Sequence, residues 1–234
     1  MPDVGELVGK LLSDDLDRRE RGRLLVALAK GLGSTARRAG AAGRQLTDVL
    51  VDDVAPHLPV RDLLTLRQHH GGLSGDELAA ALVTRAARIT AGIGGAAGAV
   101  AALELAAPPL LLTAPAQLVA ETLAVVAVEV KLVIELHVVY GRRVKGTRGQ
   151  VALAYLAAWA NRTAADGGSA GVDLGGALAE SLRHRVRQRV VRRLQRNLAS
   201  LAPFFLGAAT AAELNRRETK ALGAAVTSQL CLRR

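Results

Sequence analysis

Hydrophobic positions crowd into one stretch of the chain, from Ile89 to Tyr140, and that stretch is broken once, at Ala107-Pro108-Pro109. The run before the break is Gly, Ala and aliphatics with a single charge at Glu104. The run after it is a longer helical pattern with Glu121, Glu129, Lys131 and Glu135 set into it. Proline lacks the amide that a helix interior needs, so the paired prolines separate two helices. The pattern predicts an antiparallel helical hairpin over 89–107 and 114–140. Gly94 and Gly98 are one helical turn apart and, with Gly92, let a neighbouring backbone approach closely. The two hairpin helices are predicted to cross there.

Shorter amphipathic patterns precede the hairpin. Residues 4–12 read as one helix, with Ser13-Asp14-Asp15 as the cap of a second that ends at Gly31 and Gly33. Leu46, Val49, Leu50 and Val54 form another apolar stripe, and His69-His70-Gly71-Gly72 reads as a loop. Ser74 followed by Glu77 has the spacing of a capping box and opens the helix that runs into the Gly-rich segment. Beyond the hairpin, Gly141-Arg142-Arg143-Val144-Lys145 is a basic turn. A helix over 150–162 follows, with Tyr155 and Trp159 on one face. Residues 165–171 read as a flexible link. Residues 178–201 form a basic amphipathic helix with Leu182, Val186, Val190 and Leu194 along its apolar stripe. Pro203 restarts the chain into a last helix, rich in small residues. No stretch alternates with period two, so the fold class is all-α: a multi-helix bundle around the Gly/Ala-rich hairpin. The expected division is an N-terminal set of helices at 1–72 and a helical domain at 73–234.

Composition sharpens this picture. Half of the residues are hydrophobic but only 2% are aromatic, so the core must be built from Leu, Val and Ala at close helix approach. The formal net charge of +10 points to an anionic partner. Much of that charge lies on the basic helix, at Arg183, Arg185, Arg187, Arg189, Arg192, Arg193 and Arg196, which are expected to point outward and contact an anionic surface. The arginines have no stacking aromatics interleaved and no reading motif, so nucleic acid is not the expected partner. An anionic membrane surface or an acidic protein is.

A bilayer span needs about 20 apolar residues. The second run is long enough, but each of its charges costs ~2.5–3.5 kcal/mol at the membrane centre. That cost favours a cytoplasmic protein that touches the inner face of the cell membrane over an integral one. The lone Cys231 suits a reducing compartment, and the amino terminus lacks the basic-then-apolar pattern of a signal peptide.

Three strings imitate catalytic motifs. Gly92-Ile93-Gly94-Gly95-Ala96-Ala97 fits a dinucleotide loop, but a helix precedes it where a strand is required. Gly141 to Gly146 has the outer spacing of a phosphate loop without its lysine. Gly167-Gly168-Ser169-Ala170-Gly171 lacks the strand of a nucleophile elbow. None of the five histidines has ligand spacing, so no metal or cofactor is expected and no enzyme activity. His137 shares its helix with Glu129 and Glu135, and a helix-capping histidine accounts for it.

The acids of the second run carry the remaining signal. Gln117, Glu121, Lys131 and Glu135 recur at helical spacing, so one narrow face is polar. That face fits a solvent-facing stripe with Lys131 and Glu135 as an i,i+4 pair. It also fits an internal polar groove in which Glu104, Glu121, Glu129, Lys131, Glu135 and His137 meet arginines of other helices. Glu121 and Glu135 are expected to face solvent or such a groove, not lipid.

Several pieces together resemble the EcsC-like family. They are ELAAALVTRAARITAGIGGAAGAVAA, the proline-broken hairpin ending in Val139-Tyr140-Gly141, and the late segment from Leu201 through Phe204-Phe205 to Lys220. The resemblance covers roughly 76–226. It implies a helical, membrane-associated protein and carries over no catalytic residues. The expected function is noncatalytic, peripheral association with an anionic membrane or a membrane-bound partner. The alternatives are a soluble module that binds an acidic protein and a protein that handles a lipid or small molecule.

Overall fold

The computed structural model describes residues 3–13, 15–36, 48–54, 58, 60–105, 114–145, 148–161, 183–184, 186–193 and 207–232. Seven α-helices are formed within them: α1 (Val4–Leu11), α2 (Arg18–Ala36), α3 (Leu63–His69), α4 (Gly75–Leu105), α5 (Ala114–Val139), α6 (Arg148–Asn161) and α7 (Gly207–Leu232). A π-helical turn covers Val49–Val54, and residues 186–193 are helical. No strand occurs among the described residues, so the all-α bundle is the observed fold.

Caps set several helix starts. Asp3 accepts the Gly5 amide at the head of α1, and Asp62 accepts the Thr65 amide at the head of α3. At α2 the cap is Asp17, displacing the expected Ser13-Asp14-Asp15. Asp17 accepts the Glu20 amide at 2.8 Å while Glu20 accepts the Asp17 amide at 3.0 Å. This helix also runs on through Gly31 and Gly33, since glycine weakens a helix without ending it.

The centre of the bundle is α5. Residues 120–130 are buried without interruption, because α1, α2, α4, α6, α7 and the π-helical turn all pack on this one helix. The helical hairpin is present: α4 and α5 are in contact. They are antiparallel, with Tyr140 at one end of α5 bonded to Asp76 at the start of α4. The apolar core runs from Leu7, Leu11 and Leu28 through Leu123, Val133 and Leu136 to Leu222 and Leu230, and so crosses the 72/73 division expected from sequence.

The glycine crossing is real, but the partner differs from the expected one. A Cβ on Gly98 would collide with the Ala208 Cα, and one on Gly94 would lie 2.8 Å from the Ala211 carbonyl oxygen. The glycines of α4 therefore receive α7. The same contact continues at Gly223 of α7, which sits against Val83 of α4. The order of these pairs makes α4 and α7 antiparallel over most of their length, joined by small residues. Gly92 faces elsewhere, against the guanidinium of Arg21. Arg21 is buried there and donates to the Leu11 and Ser13 carbonyls, closing the end of α1.

A buried polar network as the candidate functional site

Helices α4, α5, α6, α7 and the stretch 186–193 each contribute a polar side chain to one buried cluster. Glu129 of α5 is its hub. Its Oε2 accepts from the Trp159 indole of α6 at 2.8 Å and from Arg193 Nη1 at 2.9 Å. Its Oε1 accepts from the Thr219 hydroxyl of α7 at 3.0 Å. Since that hydroxyl spends its proton on Glu129, the Thr90 hydroxyl of α4 donates to Thr219, 2.9 Å away.

Arg193 is the counter-charge. Its Nη1 also lies 3.2 Å from a Glu218 carboxylate oxygen, and its Nη2 donates to Asn215 Oδ1 at 3.1 Å. The Asn215 amide nitrogen in turn donates to Glu121 at 3.1 Å. The Nε of Arg193 is buried with no hydrogen-bond partner. The other nitrogens of its guanidinium are engaged, as a buried charge requires.

Glu121 is the odd member. Burial pushes its carboxyl up to about 7, against the opposing pull of the Asn215 hydrogen bond and the Arg193 charge. Near neutral pH its carboxyl is therefore about half protonated.

A second polar pair sits further along α5. Lys131 and Glu135 form the expected i,i+4 salt bridge, and both are largely withdrawn from solvent. Burial lowers the Lys131 pKa, while the Glu135 carboxylate raises it. The cleft beside them is lined by Leu12, Leu82, Arg85, Ile89 and Val128 as well. Its space of about 20 Å³ holds about one water molecule. His137 is fully buried, with Nδ1 2.6 Å from the Val133 carbonyl oxygen, so that nitrogen carries the proton. Its ring meets Tyr155 edge-on at 5.1 Å. Among the described residues, no group of His, Cys, Asp and Glu could hold a metal ion.

These positions sort the expected site residues. Glu121, Glu129 and Glu135 are all buried, so the solvent-facing stripe is not formed. Glu129 meets an arginine of another element, Arg193, while Glu121 bonds Asn215 and Glu135 pairs with Lys131 of its own helix. Glu104 lies in α4, and its side chain is outside the described residues. The arginine set divides. Arg183 and Arg192 are exposed, and Arg187 is half-buried and donates to His184. Arg189 stacks its guanidinium 5.2 Å from the centre of the Trp159 ring. Arg185 and Arg196 are outside the described residues. Arg193 does not point outward, because Glu129 and Glu218 supply the carboxylates that burial of an arginine demands.

Sequence reasoning missed Thr90, Trp159, Asn215 and Thr219. Asn215 and Thr219 stand one turn apart on a helix otherwise faced with Ala and Gly, and Trp159 is the chain's single tryptophan. Those were the available signals. The arrangement ties five elements together through side-chain hydrogen bonds and an ion pair.

No protein-family model, no curated protein and no solved structure matches the chain. Among the described residues, no helix is long and apolar enough to cross a membrane.

Proposed function

We propose that this is a noncatalytic helical protein that associates peripherally with anionic membrane, at the inner face of the cell membrane, directly or beside a membrane-bound partner. One observation carries the reading. Arg142, Arg143, Lys145, Arg183 and Arg192 are exposed, and none of them forms a salt bridge with another described residue. Exposed cations attract anionic headgroups, about 1 kcal/mol each near the surface. The groups best placed for chemistry, Glu129 and Arg193, instead satisfy each other in the interior. The resemblance to EcsC-like proteins supports the same reading.

The test is the double reversal Arg183→Glu/Arg192→Glu in a sedimentation assay with vesicles containing anionic phospholipid. Binding should fall roughly 30-fold or more, with the thermal melt unchanged. Unchanged binding would remove these two arginines from the interface.

A further inference from the structure

Three large apolar side chains are left exposed in one short segment. Val60 is 41% exposed, Leu63 37% and Leu64 67%. They stand at the entry and first turn of α3, whose Leu66 is fully buried in the common core with Tyr140 and Val144. The segment is thus anchored from beneath while its aliphatic side chains project.

Cations stand on it and on the turn after α5. Arg67 is exposed on α3, and Arg142, Arg143 and Lys145 are exposed on the turn after α5. The turn lies within electrostatic reach of the segment: the Asp62 carboxyl is held below its usual range first by the Thr65 amide and, to a smaller degree, by Arg143. Of the acids nearby, Asp62 caps α3, Asp76 accepts the Tyr140 hydroxyl and Glu77 is exposed.

We infer that Val60, Leu63 and Leu64, with Arg67 on the same helix and the basic turn of Arg142, Arg143 and Lys145 beside them, are the face that dips into an anionic phospholipid bilayer. The inference rests on the proposed membrane function and assigns a surface and an orientation to it. Projecting aliphatics beside exposed cations match the two layers of a bilayer surface: acyl chains take the leucines, and phosphates take the guanidiniums. The cations set the preference for anionic lipid. The apolar centre supplies attraction that salt does not screen.

The probe is a vesicle of phosphatidylcholine with about a third phosphatidylserine, with all-phosphatidylcholine vesicles as the comparison. Leu64→Asp should weaken binding to the anionic vesicles about tenfold or more, because it replaces one inserted leucine by a repelled charge. Leu64→Trp should bind as wild type, shift its emission to the blue on binding, and be quenched by brominated lipid beyond the Trp159 background. Wild-type binding by Leu64→Asp, or no quenching of Leu64→Trp on bound vesicles, would overturn the inference and leave the membrane reading standing. Failure of the unaltered protein to bind anionic vesicles would overturn both and favour an acidic protein as partner.

Discussion

Arg193 and Glu129 meet at 2.9 Å inside the bundle, 64 positions apart in sequence, with 2% and 1% of their side chains exposed. A pair so withdrawn from water stabilises little by itself, since the desolvation of both ions offsets most of their attraction. Breaking it is another matter. Arg193→Met should destabilise the protein by about 3–5 kcal/mol in a denaturant titration, because Glu129 and Glu218 lose their counter-charge. Arg193→Met/Glu129→Met should recover part of that loss. A single variant as stable as wild type would mean the pair is not buried as described.

Glu121 makes stability depend on pH in a direction opposite to most carboxylates. Its folded pKa of about 7 stands above the ordinary value of 4.5, so between those values the folded state binds more protons than the unfolded. Stability from this group is therefore complete below pH 4.5, declines as pH rises through the window, and levels off above 7. The span corresponds to about 3 kcal/mol. Glu121→Gln should match wild type near pH 4.5 and exceed it in stability at pH 8. Parallel stability curves for the two proteins would contradict this assignment.

The glycines separate into those that admit a neighbour and those that do not. Gly98→Leu should cost ~1–3 kcal/mol, since the new side chain meets the Ala208 backbone, which cannot swing aside. Gly9, in α1, has nothing within 4 Å of an added Cβ, so Gly9→Ala should stabilise by about 0.5–1 kcal/mol. Thermal melts of the two variants should move in opposite directions.

The helices were legible because their periodicity and breaks are local properties. The boundary at Gly75, the hairpin and the Tyr155/Trp159 face needed only neighbouring residues to be seen. The partner of the Gly94/Gly98 surface was not legible, since small-residue spacing states that a backbone approaches without saying which. The same limit hid the network. A carboxylate in an apolar run reads equally as a solvent stripe or an interior charge, and the decision rests on Arg193, which looks like any other arginine of a basic helix. Only the contact between distant elements distinguishes it from Arg192 beside it.

Accessibility separates the interior acids from the outer face. With Cys231 replaced by Ser, cysteines at positions 64 and 192 should react quickly with a charged thiol reagent. Cysteines at 121 and 135 should be protected, since both glutamates are buried. Fast reaction at 121 would show that the polar face of α5 is open to water.

The membrane reading is tested most directly by fractionating cells that express the unaltered protein and washing the membranes with high salt. The account predicts that the protein sediments with membranes at low ionic strength and that most of it is released by the wash, because headgroup attraction is screened within ~3 Å at 1 M salt. A protein found wholly in the soluble fraction at low ionic strength, or released only by detergent, would contradict it.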